Sequence, residues 1–166
     1  MSASALFVQF LNGLASASSL FLVAAGLSLI FGVTRIVNFA HGSLYMLGAY
    51  CAVTLAGLFA ELGLARPLGF WGAVLVSGLA IALLGALLER LLLRRLYAAP
   101  ELLQLLATFA LVLVIKDFAL WAWGPEDLLG PRAPLLEGAV AIGERAFPEY
   151  DVFLILLGPI VLGALW

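Results

Sequence analysis

Charge is what this sequence lacks most. Lysine and arginine number 8 and aspartate and glutamate 10 in 166 residues, so charged side chains make up only 11%. A water-soluble domain carries about 25%, and a chain this poor in charge cannot cover a surface exposed to water. The net charge of −2 says nothing about nucleic acid, but no basic patch is present to bind it, and no nucleic-acid partner is expected. One cysteine, Cys51, excludes an internal disulfide; inside an apolar run it reads as a packing residue. One cysteine and one histidine, His41, are too few for a metal site built from those ligands. No metal and no other cofactor is expected. A glycine-rich phosphate loop ending in Lys-Ser or Lys-Thr is missing. No serine has a histidine and an acid in a recognisable arrangement. An enzyme is therefore disfavoured, and any energy source has to sit on a partner.

What the chain has is apolar length. Hydrophobic residues make up 65% and the mean hydropathy is +1.18. A spanning helix needs about 20 mostly apolar residues, and the runs 6–34, 39–60, 68–93 and 102–123 each meet that length. Residues 152–166 open a fifth. Runs this long and evenly apolar suit helices, not barrel strands. The expected fold is an all-α integral membrane protein, a polytopic helix bundle with about four complete spans and the start of a fifth, forming the N-terminal part (1–166) of one transmembrane domain. The first charged side chain, Arg35, follows the first run, whereas a signal peptide has basic residues before its apolar core. The first run is read as a retained helix. Because the chain stops at Trp166 within a fresh apolar run, a longer protein is expected.

Basic residues in short loops set orientation. Arg35 follows the first run, and Arg90, Arg94 and Arg95 close the third; with alternating spans these share one side, read as cytoplasmic. The N-terminus and the loop 124–151 are then extracytoplasmic, with lipid around the spans. That loop holds Glu126, Asp127, Glu137, Glu144, Glu149 and Asp151 against two arginines. Its stretch Glu137–Gly143 is short, apolar and bounded by glycine; a small hairpin and an irregular loop are equally open. Small residues recur every four positions at Ala24, Ser28 and Gly32, at Gly48, Ala52, Ala56 and Ala60, and at Gly78, Ala82 and Ala86. Such rows let helices approach closely in lipid.

Polar side chains between apolar runs are expensive and point to function. Asn38-Phe39-Ala40-His41-Gly42-Ser43 lies between the first two runs. Asn38 is read as the N-cap of the second helix, with His41 in its first turn and Gly42 allowing backbone approach. A helix N-terminus offers N–H groups and partial positive charge. On the residues alone two readings stay open: a capped hairpin with no ligand, and a helix end that meets a solute. Lys116 and Asp117 interrupt the fourth run. They are read either as pathway charges or as a structural polar contact, Lys116 snorkelling to an interface.

The run Gly26 to Tyr50, with Asn38-Phe-Ala-His-Gly42 followed by Tyr45-Met-Leu-Gly-Ala-Tyr50, resembles the branched-chain amino acid ABC transporter permease family, LivH-like subgroup. Looser similarity continues at Glu89-Arg90, Arg94 to Leu96, Thr108-Phe109, Trp123-Gly-Pro125 and Gly138 to Gly143. The resemblance implies a multi-pass subunit of the bacterial inner membrane. Its implied partners are a second homologous permease, two cytoplasmic ATPases and an extracytoplasmic substrate-binding protein. The implied cargo is a branched-chain or related amino acid; related members move urea or short amides. Asn38, His41, Gly42 and Ser43 become the pathway candidates, with Thr108, Lys116 and Asp117 behind them. Three positions depart from the pattern. Ser43 stands where many relatives carry glutamate, Ala110 replaces a common glycine, and Lys116-Asp117 replaces an uncharged polar stretch. A non-transporting scaffold and a passive solute channel are the competing classes.

Overall fold

The computed structural model describes residues 3–143 and 145–166. Met1, Ser2 and the loop acid Glu144 lie outside them. The chain is a membrane helix bundle. Its elements are α1 (Ala3–Thr34), α2 (Ala40–Glu61), α3 (Arg66–Leu88), a π-helical turn (Glu89–Leu93), α4 (Arg94–Leu96), α5 (Glu101–Trp123), strands β1 (Ala139–Ile142) and β2 (Arg145–Pro148), and α6 (Glu149–Leu165). Four helices are long and apolar enough to cross a membrane: Ser4–Thr34, Ala40–Glu61, Arg66–Leu96 and Glu101–Trp123. The π turn and α4 continue α3 without a break, which lengthens the third span at its basic end.

Proline and glycine punctuate these helices as backbone chemistry requires. Pro67 sits at the start of α3 and Pro100 just before α5, where a missing N–H costs nothing. Gly124 ends α5 with φ of +80°, a conformation glycine adopts freely. The short α4–α5 turn is closed by Gln104, whose Nε2 donates to the carbonyls of Leu96 (3.1 Å) and Ala99 (2.9 Å).

The chain divides into two compact units. Residues 27–131 form one. Its core is Ala40, Leu47 and Ile115, packed against Leu44, Cys51, Ile81, Leu111 and neighbours. α2 lies between α3 and α5. At the far end of this packing Tyr50 stacks on Trp123 with ring centroids 5.3 Å apart, and the Trp123 indole N–H donates to Thr54 Oγ1 at 2.8 Å. Gly48 in α2 lies close enough that a Cβ there would be 3.5 Å from Ile81. In α3 the buried row is Gly69, Ala73 and Ser77, whereas Gly78, Ala82 and Ala86 are exposed. Ala24, Ser28 and Gly32 of α1 are exposed too. Small residues are so frequent in these helices that several rows have four-residue spacing, and only the approach of α2 selects one.

The other unit holds residues 1–26 and 132–166. β1 and β2 form an antiparallel hairpin pairing Ala139 with Pro148 and Ile142 with Arg145. Between the hairpin and the irregular loop allowed by the sequence, the hairpin is what forms. Phe147 is its buried anchor, and Gly143 enters the turn with φ of +63°. α6 follows directly and passes α1 closely: a Cβ on Gly158 would lie 3.3 Å from Ser18 Oγ.

Candidate functional site

α1 ends through local geometry at Arg35. That residue adopts a left-handed backbone with φ of +56°, which costs a non-glycine residue about 1–2 kcal/mol. Two bonds hold the break: Arg35 N–H donates to Phe31 O at 2.8 Å, and Thr34 Oγ1 donates to Ile30 O at 2.9 Å. The chain then runs to Asn38 without regular secondary structure. Side chains alternate along it, with Ile36, Asn38 and Ala40 buried and Arg35, Val37 and Phe39 exposed. Non-helical backbone near a membrane is tolerated only where protein covers it or a cavity borders it.

Asn38 organises the turn. Its Oδ1 accepts the Ala40 N–H at 3.0 Å and its carbonyl accepts the His41 N–H at 3.2 Å. Phe39, the residue immediately before α2, makes no side-chain cap bond and already has helical angles (φ −62°, ψ −26°). Asn38, one residue before it, provides the bond of an N-cap, its side-chain oxygen on the N–H two residues on. Because Oδ1 must face an N–H, the amide's orientation is fixed, and Nδ2 has no hydrogen-bond partner among the described residues.

Thr108 joins this turn from α5. It is fully buried, and its hydroxyl lies 3.1 Å from Leu105 O and 3.5 Å from Val37 O. One helix hydroxyl thus reaches the carbonyl of the segment before α2. His41 and Ser43 are half-buried on the first turn of α2. Gly42 is exposed, and a Cβ there would meet open space within this chain. Lys116 and Asp117 lie elsewhere. Both are exposed on α5, outside its buried row Thr108, Ile115 and Ala119, and neither forms an ion pair or side-chain hydrogen bond among the described residues. Lys116 is seven residues from Trp123, about 10 Å along the helix.

A cavity of about 490 Å³ adjoins the turn. Its walls come from the end of α1 (Ile30, Val33), from α2 (Leu44), from α5 (Leu111) and from α3 and the π turn (Gly85, Leu93). The polar residues on its lining are Thr34, Asn38 and Glu89. Glu89 begins the π turn and accepts the Tyr97 hydroxyl at 2.9 Å. Partial burial, and then the bond and charge of Glu89, push the Tyr97 hydroxyl above its ordinary pKa, while Arg94 pulls the other way. Tyr97 thus stays a donor to the carboxylate. In the sequence Glu89 stands out only as part of a loose similarity. Its physical sign there is a carboxylate near the end of an apolar run, seven residues before Leu96.

The other unit contains a polar hollow of about 390 Å³ lined by Asn12, Ser16, Ser19 and Asp151. The sequence pattern did not single it out, although spacings of four and three put Asn12, Ser16 and Ser19 on one helix face. No group of His, Cys, Asp and Glu among the described residues could hold a metal ion.

Comparison with known proteins places residues 9–162 within the family model described as "Branched-chain amino acid transport system / permease component". The high-affinity branched-chain amino acid transport system permease protein BraD of Pseudomonas aeruginosa is 29% identical over 139 residues, 83% of this chain and 45% of that protein. The corresponding permease proteins LivH of Escherichia coli K12 and Salmonella typhimurium are each 25% identical over 140 residues, 81% of this chain and 44% of theirs. The chain thus spans less than half the length of these relatives. No solved structure matches it.

Proposed function

The chain belongs to the branched-chain amino acid transport permease family, and on that premise we propose that it works as a membrane-spanning subunit of an ATP-driven importer for branched-chain or related amino acids. In this role it sits in the bacterial inner membrane with a second, homologous permease. Two cytoplasmic ATPases supply energy and an extracytoplasmic binding protein delivers the solute. The N-terminus and the β1–β2 hairpin face outward, and the turn Arg35–Asn38 faces the cytoplasm.

The observation that carries this reading is the buried break between α1 and α2. A scaffold helix pair needs only a polar loop outside the bilayer. Here the connection is non-helical and alternately buried, is tied to α5 through Thr108, and borders a cavity. Transporters place interrupted helices at their solute sites in this way. Asn38, His41, Gly42 and Ser43 are the pathway residues of the proposal, with Thr108 holding the turn in place. Lys116 and Asp117 remain secondary candidates, because charges exposed on a spanning helix call for a protein or aqueous neighbour. A second reading, import of urea or a short amide, draws on Ser43, an uncharged residue where many relatives carry glutamate.

The test is uptake by vesicles holding the full-length permease with its partners. Labelled L-leucine is expected to accumulate only with ATP, and urea is expected not to. Accumulation without ATP would indicate a channel, and none under any condition a scaffold. Orientation is checked on the same material by a cysteine placed at Gly138. It is expected to react with an impermeant thiol reagent from the extracytoplasmic side; reaction from the cytoplasmic side alone would reverse the topology.

A further inference from the structure

We propose that the cavity between α1, α2, α3 and α5 binds an aliphatic amino acid as a zwitterion, with Glu89 receiving its ammonium group and the Asn38 amide its carboxylate. This rests on the importer reading above and goes beyond it by assigning the two poles of the site.

The cavity has the composition such a ligand requires. About 490 Å³ falls within the range of small-molecule sites, which combine apolar walls with a few placed polar groups. Ile30, Val33, Leu44 and Leu111 provide walls for a branched hydrocarbon chain. Of the three polar residues, Thr34 is already occupied: its hydroxyl donates to Ile30 O and accepts the Ile36 N–H at 3.3 Å. Two groups are left over. Asn38 is 8% exposed, and its Nδ2 donor has no partner among the described residues. Since no buried polar atom among those residues lacks a partner, that nitrogen must retain access to open space, and Asn38 lines the cavity. Glu89 is the second. Tyr97 engages Oε1 alone, and no cation pairs with the carboxylate among the described residues.

The charges have the right signs. A carboxylate on an apolar cavity near a membrane calls for a cationic partner, and an ammonium group is one. The Asn38 donor sits at the N-terminus of α2, where partial positive charge favours an anion. The π turn at Glu89–Leu93 fits as well. Such turns break regular helical hydrogen bonding and occur frequently at functional sites.

The experiment uses the full-length permease with its ATPases and binding protein in proteoliposomes, with labelled L-leucine as probe and 4-methylpentanoate, which lacks the amine, as competitor. Two variants are compared with wild type at equal complex assembly, measured by co-purification. Glu89→Gln removes the charge. Gly85→Leu fills the cavity from a position where a Cβ meets nothing within 4 Å. Glu89→Gln is expected to lower leucine uptake about tenfold or more, the loss anticipated for one charge-assisted hydrogen bond, and Gly85→Leu to lower it at least as far by taking the space of the solute's side chain. In Glu89→Gln the competitor is also expected to approach unlabelled leucine in potency, because the site no longer rewards an ammonium group. Leucine uptake unchanged in both variants would overturn this site while leaving the importer reading standing. Loss of complex assembly in Gly85→Leu would overturn it too, by showing that a helix of the assembly fills the cavity. Absence of ATP-driven amino acid uptake in wild type would instead overturn the importer reading.

Discussion

Asn38→Asp is expected to lower uptake strongly while leaving the permease folded and inserted. Asparagine at this position does two separable things. Its oxygen accepts the Ala40 N–H at 3.0 Å and starts α2, and its nitrogen, without a partner among the described residues, is the donor proposed for the solute. Aspartate keeps the first role. A carboxylate accepts the same N–H, and its charge at a helix N-terminus contributes about 0.3–1 kcal/mol in its favour. The second role is lost outright, because aspartate has no donor when ionised. It also brings a negative charge to a cavity that already holds Glu89, so a carboxylate-bearing solute is repelled. Together these effects are expected to reduce uptake by roughly 30- to 100-fold, the loss of a hydrogen bond to a charged group worth about 1.5–3 kcal/mol. Asn38→Ala removes both roles and adds a capping loss of about 1 kcal/mol. The checks are membrane level and detergent melting temperature beside uptake. Normal uptake by Asn38→Asp would reduce Asn38 to a cap.

Thr108→Val is expected to have the next largest effect. Valine nearly matches threonine in shape, so α5 keeps its packing, but the hydroxyl is gone. Thr108 is fully buried, and its donor is the described side-chain link between α5 and the segment before α2, reaching Val37 O at 3.5 Å. That contact is long and weaker than the 3.1 Å bond to Leu105 O. Its weight is that of the hydroxyl that bridges α5 and the segment before α2. Such a hydrogen bond contributes about 0.5–1.5 kcal/mol. Melting of the full-length protein in detergent should fall by several degrees and uptake by about tenfold. Thr108→Ser, which keeps the oxygen, should recover most of both. If Thr108→Val matches wild type in both measurements, the α5 tether has no part in holding the turn.

The bundle was plain in the sequence, because apolar runs of this length are stable across a bilayer and costly in water. Four runs separated by proline, glycine and arginine became four long helices, and Pro67, Pro100 and Gly124 mark the ends they should. The site was legible in part. Asn38 stood out as a polar residue between apolar runs, and its bond to the Ala40 N–H is the capping bond expected of it. The break at Arg35 was not legible. Arginine has no preference for a left-handed backbone, and only the bonds of Thr34 and Phe31 show why the chain turns there. Glu89 was hidden for a similar reason. The π turn and the Tyr97 hydroxyl, eight residues away, are products of packing, and neither has a periodic signature. In α3 the abundance of alanine and glycine offered several close-packing rows, and spacing alone pointed to Gly78, Ala82 and Ala86 where α2 packs on Gly69, Ala73 and Ser77.

The central claim is that the first turn of α2 borders the solute's path. It is tested most directly by a single cysteine at His41 in a Cys51→Ala background of the full-length permease, assembled with its partners. The account predicts labelling by a small hydrophilic thiol reagent, and a marked slowing of that labelling when ATP and substrate-loaded binding protein are present together. A cysteine that stays unlabelled from both sides of the membrane, beside a control at Gly138 that reacts, would contradict it; so would labelling at a rate that transport does not change.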